Sequence, residues 1–396
     1  MPLASLGILS AAPYEHRRDA ARQTYLRTEQ ARALIIRFVV LTDAHGFDGG
    51  ASSSSDARRL AAEHARHGDM VAVPTNGSRE RVIAPLVATF GWLRIATAHE
   101  PYNRSSFVLK ADDDAYIVFR ELVSQLRHIR SWQTRFEGLK SSHVYFGRFY
   151  WTSWHKRNYM HNGTGYIAAS VWGNARVCLE SRDCSGPYPF ATGSLQGLSF
   201  ALAHTLANAP AAVANVDGTQ RLDLTDRKVP AYEDAWMGFA LTSLLPPSDE
   251  RQIAVVFLSS LYFRDDYGFV MHNYSMLVHP RAGKEKPIAH LSRFRAATLY
   301  SHDYHCPSRP KIGCSLTHAW SKGYPATVAS SQSSQASCRG CVPGKRWKMC
   351  TLEPANRSEC PGFSKHNFGT TDSVIARFGP GGPWERGELI NLSRPF

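Results

Sequence analysis

Apolar positions fall into short β-branched runs separated by longer stretches in which apolar residues recur three and four apart, so strands and helices are predicted in turn. Residues 3–11 form the first run, closed by Pro13, and residues 16–27 follow with helical spacing. Residues 33–41 predict a second strand, and residues 55–67 a helix with Ser55 or Asp56 as N-cap. Residues 70–74 predict a third strand, and residues 81–99 a long apolar helix that tolerates Pro85 in its first turn. A fourth strand from Phe107 leads into three aspartates, and a helix over about 118–129 comes next. The order βαβαβαβ predicts an α/β fold, a parallel or mostly parallel sheet covered by helices.

Beyond it, residues 144–149 predict another strand, followed by a loop rich in aromatic residues, among them Tyr150, Trp151, Trp154, Tyr159 and Tyr166. Such side chains stack on sugar rings or bases, or simply pack against their own domain. Pro189 and Gly193 bracket a predicted turn over 188–194, ahead of a helix over 195–207. Glu233 and Asp234 open a helical pattern within 230–245, where an acidic pair suits an N-cap as readily as a site. Residues 253–258 predict a late strand, and His272, His279 and His290 follow. From about residue 300 the composition turns to Cys, Ser, Gly and Pro, with a linker over 327–337. The expected division is therefore a domain over 1–300 and an irregular Cys-rich extension over 301–396.

Composition narrows the classes. The 396 residues are 43 % apolar and 20 % charged, the balance of a globular chain. The net charge of +13 invites nucleic acid, yet the basic residues are dispersed and no base-reading motif is present. A chain that handles anionic nucleotide-sugars or acidic glycans carries the same charge. Asn76, Asn103, Asn162, Asn273, Asn356 and Asn391 each begin Asn-x-Ser/Thr, six of only eleven asparagines, where chance gives roughly one or two. That points to the secretory pathway, and the eight cysteines then read as disulfide formers. Cys338 and Cys341 alone have the spacing of half a zinc knuckle, with no second pair to complete it. No apolar run approaches 18 residues, so the expected membrane anchor lies upstream of Met1.

The densest chemistry is Asp112, Asp113 and Asp114 between two apolar segments. Three adjacent carboxylates repel one another, and a fold keeps them most easily where a cation neutralises them. Hard oxygen donors suit Mn2+ or Mg2+, ions that accompany phosphates. A solvated acidic turn is the plain alternative, but in open α/β sheets ligands bind where strands end, which is where these carboxylates fall.

Several segments together resemble the β-1,3-galactosyltransferase and β-1,3-N-acetylglucosaminyltransferase family, glycosyltransferase family 31. Arg17, Arg18, Arg22, Thr24 and Tyr25 are similar to its R-x-x-I-R-x-T-W start, with Tyr25 in place of Trp. Gly68-Asp69-Met70-Val71 resembles its Y-G-D-I segment, and residues 107–116 its Y-x-x-K-x-D-D-D-V-F-V core. Residues 188–199 resemble its acceptor-side motif, Glu233-Asp234-Ala235-Trp236-Met237-Gly238 its E-D-V-x-x-G, and Val278-His279 its V-x-H. The order matches across about residues 3–295. The segment from Arg81 to Phe90 lacks the family's Asn and Lys, and Gly193-Ser194-Leu195-Gln196-Gly197 departs from G-x-G-Y.

The resemblance implies a GT-A type fold, a Rossmann-like mixed sheet flanked by helices, and an inverting hexosyltransferase that uses a UDP-sugar and Mn2+ (or Mg2+). It implies donor contacts from Arg22, Asp112, Asp113 and Asp114, metal ligation by Asp114 and His279, and Asp234 as the general base. Tyr188, Gly193, Trp151 and Trp154 are assigned to the acceptor side. The implied partners are a UDP-sugar and a glycan acceptor on protein or lipid, without nucleic acid, in the Golgi lumen. A noncatalytic glycan-binding or chaperone-like member of the fold is the alternative.

Overall fold

A computed structural model describes residues 1–48, 54–75, 84–135, 143–155, 166–167, 184–221, 233–245, 253–257 and 263–264, together with 277–278, 363–364, 367–368, 374–378 and 389–391. Its strands begin with β1 (Ala4–Ser10), β2 (Leu34–Thr42), β3 (Met70–Pro74), β4 (Phe107–Asp112), β5 (Tyr116–Ile117) and β6 (His143–His155). β7 (Tyr166–Ile167), β8 (Cys184–Ser199), β9 (Ile253–Phe257), β10 (Phe263–Arg264) and β11 (Leu277–Val278) follow. The helices α1 (Glu15–Gln23), α2 (Ser55–His67), α3 (Ala84–Ala98) and α4 (Phe119–Arg135) alternate with the first strands, as the apolar spacing predicts.

The main sheet runs β9, β6, β8, β4, β1, β2, β3, with β7 on β6. Its edge beyond β9 carries the strands Val374–Phe378 and Leu389–Asn391. The four strands from β3 to β4 are parallel, as the βα alternation requires. β8 then enters antiparallel between β4 and β6, which makes this a mixed α/β sheet flanked by helices. A separate small sheet joins β10, β11 and β5 and pairs Val278 with Tyr116.

Alternation along each strand divides the core into two faces. Leu6, Ile8, Phe107, Leu109 and Phe146 face α1, α2 and α4. Val39, Val108, Tyr145 and Leu198 face α3 and the later helices Phe200–Ala207, Pro210–Arg221 and Glu233–Phe239. Trp92 of α3 lies so close to the sheet that a Cβ on Gly7 would sit 2.7 Å from its indole, and its Nε1 donates to the Leu109 carbonyl at 2.8 Å. α2 ends at Gly68, whose φ of 63° is the left-handed conformation that closes a helix. Among the described residues no helix is long and apolar enough to cross a membrane.

Two local expectations are corrected. Residues 150–155 belong to β6, so Trp151 and Trp154 stand on a strand, not on a loop. The helix expected from residue 195 begins at Phe200, because residues 195–199 continue β8 and pair with β4. The apolar spacing of Leu195, Leu198 and Leu202 suits a helix. Gly197, however, leaves room for the Phe146 ring on the neighbouring strand, a close approach that only the extended pairing uses. The turn expected over 188–194 is a bulge: Gly147 pairs with Gln196 but Phe149 with Ala191, so residues 192–195 of β8 leave the ladder with β6, and of these only Leu195 is paired with β4. Ala191 N–H donates instead to the Tyr145 hydroxyl at 2.8 Å.

Candidate active site

Lys110 is the residue around which the site is arranged. β4 alternation puts its side chain on the same face as that of Asp112, and the residue is only 2 % exposed. Its Nζ donates to Asp112 Oδ1 at 2.7 Å, to the Gly193 carbonyl at 2.6 Å and to Glu233 Oε1 at 2.8 Å. The β8 bulge makes the second bond possible, since a residue held in the ladder would spend its carbonyl there. Glycine at 193 leaves room for this bond: a Cβ would meet the Glu233 carboxylate and lie 3.0 Å from Lys110 Nζ, so these side chains would have to shift. One buried ammonium thus joins the end of β4, the bulge of β8 and the start of the Glu233–Phe239 helix.

The rest of the triplet is held from the other side. Ser10, at the end of β1, donates from Oγ to Asp113 Oδ2 at 2.6 Å. Arg17 of α1 donates to Asp113 Oδ1 at 2.7 Å and to Asp114 Oδ2 at 3.2 Å. Asp113 is nearly enclosed, whereas the Asp112 and Asp114 side chains keep 31 % and 30 % of their exposure. As hard oxygen donors still open to solvent at a strand end, these two fit a divalent cation that a phosphate would complete. Among the described residues no three His, Cys, Asp or Glu side chains form a metal group by themselves.

Electrostatics separates the carboxylates. Burial works against the Lys110 ammonium, but the neighbouring Asp112 and Glu233 charges outweigh it and hold the group protonated well beyond its usual range. Burial likewise opposes ionisation of Glu233, and the Lys110 charge and hydrogen bond override it and lower its pKa. Asp112 stays raised by burial in spite of Lys110, with Glu233 and Asp114 adding to the effect. Burial, and then repulsion by Asp114 against the pull of Arg17, takes Asp113 to about 6. Asp234 has no ammonium of its own; burial and the adjacent Glu233 charge carry it to about 7, while its Oδ1 accepts from Ala235 N–H at 2.7 Å. Two neighbouring carboxyls are therefore pushed in opposite directions, the arrangement by which sites divide acid and base roles.

The expected residues are brought together in part. Asp112, Asp113, Asp114, Gly193 and Asp234 surround Lys110 and Arg17. Arg22 does not join them: its guanidinium bonds Asp69 through two 2.8 Å hydrogen bonds and also reaches Asp19 and Glu63. Trp151 and Trp154 lie on β6, and Tyr188 pairs across from Thr152 on β8, where only the backbone is described. His279 lies outside the described residues; β11, immediately before it, pairs Val278 with Tyr116, two residues beyond Asp114. Lys110, Glu233 and Arg17 fall within segments read from the sequence but were given no site role there, and Ser10 was not singled out. A lysine two positions before an aspartate on an otherwise apolar strand was the available signal for the first of them, since it places two opposite charges on one face.

No family model matches the chain. Among solved structures, the chain is similar to galactosyltransferase LgtC in complex with donor and acceptor sugar analogs, at 10 % identity, over 78 % of this chain and 98 % of that one, with a TM-score of 0.35. It is also similar to the apo bifunctional glycosyltransferase WbbM, at 12 % identity, over 76 % of this chain and 51 % of that one, with a TM-score of 0.35. A mannose-1-phosphate geranyltransferase from Thermus thermophilus follows at 10 % identity, over 64 % of this chain and 73 % of that one, with a TM-score of 0.28. Likenesses this remote carry no activity across to this chain.

Proposed function

We propose that this chain is an inverting glycosyltransferase that moves a hexose or N-acetylhexosamine from a UDP-sugar to a glycan hydroxyl, forming a β-1,3 linkage. The observation that carries the proposal is the threefold bonding of Lys110, which ties Asp112 at the head of the triplet to Glu233, the neighbour of Asp234, through one buried charge. In this reading the triplet marks the donor end and Asp234 the acceptor end. Asp112 and Asp114 would hold a divalent cation, Mn2+ or Mg2+, whose contribution when bound is to neutralise the departing diphosphate.

Asp234 takes the proton of the acceptor hydroxyl as that oxygen bonds the anomeric carbon and the carbon–oxygen bond to the diphosphate breaks. With a value near 7 the carboxylate is ionised in a useful fraction and is a stronger base than an ordinary aspartate. Lys110 holds Glu233 ionised beside it, so the proton is received by Asp234 and not by its neighbour. A single displacement from the opposite face inverts the anomeric centre. The six sequons support action in the lumen of the secretory pathway, with the Golgi as the proposed compartment.

One observation favours a second reading, a noncatalytic glycan-binding relative: Arg17 and Lys110 already compensate part of the triplet charge. The two are separated by incubating purified protein with UDP-Gal, UDP-GlcNAc, UDP-GalNAc and UDP-Glc, with and without Mn2+, and following both thermal stabilisation and UDP release. Stabilisation and turnover with one donor only in the presence of metal, both lost in Asp114→Ala, are expected. Folded protein that answers no donor refutes the enzyme and leaves the glycan-binding reading.

A further inference from the structure

At the opposite end of the parallel strands from the triplet lies a cavity of about 1180 Å³, walled by the chain before β1 and β2, the turn before β4 and the outer half of α4. Among the described residues five arginines line it, Arg32, Arg37, Arg104, Arg127 and Arg130, and no aspartate or glutamate does. Arg32, Arg127 and Arg130 are exposed, and among the described residues no carboxylate forms an ion pair with them. Arg104 is the one that has such a partner, the exposed Glu100 at 2.6 Å. Arg37 is half-buried and fixed: its Nε donates to the Tyr102 hydroxyl at 3.2 Å, its Nη1 to the Ile36 carbonyl at 2.8 Å, and the guanidinium lies 5.7 Å from the Tyr102 ring centre.

The arrangement gathers like charge from four segments. Arg127 and Arg130 stand three apart on one helix and repel each other. The helix dipole favours cations near the end of α4, but it gives no reason for Arg32, Arg37 and Arg104 to converge there from three other segments. Guanidinium groups match the oxygens of phosphate and sulfate in pairs, and a cavity bounded by five of them raises the local concentration of polyanions. We propose that this cavity binds a ligand carrying two or more clustered phosphate groups, at a site separate from the donor site.

Tripolyphosphate in solution and phosphatidic acid in phosphatidylcholine vesicles probe the two sources of such groups. Binding to the full chain would be compared with that of Arg32→Ala/Arg127→Ala/Arg130→Ala. A variant of equal charge, Arg58→Ala/Arg59→Ala/Arg66→Ala on α2, controls for net charge. At least a tenfold loss of affinity in the cavity variant and less than threefold in the control is expected. A loss seen with tripolyphosphate identifies a soluble polyphosphate ligand, and one seen with vesicles alone a lipid-borne one. Equal losses in both variants, or no saturable binding to either probe, overturn the proposal. Circular dichroism of the variants keeps unfolding from being mistaken for lost binding.

Discussion

Two buried ion clusters flank α1, and they differ in what they leave unfinished. In the first, Arg18 and Glu63 are 0 % and 1 % exposed, and both Glu63 oxygens accept from Arg18, with Arg22 closing the group onto Asp69 and Asp19. Two guanidinium groups face three carboxylates, nearly in balance. In the second, Arg17 and Lys110 face five carboxylates, Asp112, Asp113, Asp114, Glu233 and Asp234, and the surplus appears as raised proton affinity at Asp113 and Asp234. The Arg18–Glu63 pair at the heart of the first is sealed as a structural element is, with Asp19 and Asp69 at its solvent edge; the second keeps charge in reserve for a cation or a proton. Ser10 links them, accepting from Arg18 at 2.8 Å and donating to Asp113, so the sealed cluster braces the open one.

The contrast is broken most forcefully by removing one cation from each. Lys110→Met strips the mostly buried Glu233 carboxylate and the partly exposed Asp112 of their ammonium, and Arg18→Leu leaves the buried Glu63 with Arg22 alone; each is expected to cost about 3 kcal/mol or more in urea unfolding. Only the Lys110 variant should also change the pH dependence of transfer, because only its cluster contains the proposed base. Equal pH profiles in both variants would make the second cluster as purely structural as the first.

Asp234→Asn should lower transfer by about 10²- to 10⁴-fold with little loss of stability, since the amide replaces a carboxyl that is already half protonated at neutral pH. Wild-type transfer should rise with pH through about 7 as Asp234 ionises. Stability runs the other way. The Asp234 value is raised from the ordinary 3.8 to about 7, so the folded state binds the extra proton between those limits. Its contribution is complete below about 4 and is lost as pH rises through 7. Unfolding midpoints of wild type and Asp234→Asn against pH check the sign: the variant should show the shallower fall.

Gly193→Ala is expected to cost about 1–3 kcal/mol by crowding a methyl group against Glu233 and Lys110, measured by thermal unfolding. At the low end, Arg66→Ala removes a solvent-screened pair between the exposed Arg66 and the partly exposed Glu15, and its effect should stay within about 0.5 kcal/mol.

How much of this was legible in the sequence depended on the range of the forces involved. The β1–α1–β2–α2–β3 succession was readable because period is local; α2 was placed on Ser55–His67 and β3 on Met70–Pro74 with no shift, although the N-cap of α2 is Ser54, not Ser55 or Asp56. β8 was misread over 195–199, since an apolar run with glycines suits a strand or a helix until a neighbour such as Phe146 claims the glycine space. The triplet announced itself through its own repulsion. Arg22 was expected at the donor because its neighbourhood resembles a family motif, yet which carboxylate an arginine meets is decided by where α1 lies on the sheet, and there it is Arg17 that reaches the triplet. The sequence by itself determined the α/β alternation and the acidic strand end, because both follow from neighbours along the chain. The tertiary structure alone decided that Lys110, Gly193 and Glu233, from three distant segments, share one buried charge, for a hydrogen bond across 83 or 123 residues leaves no local pattern to read.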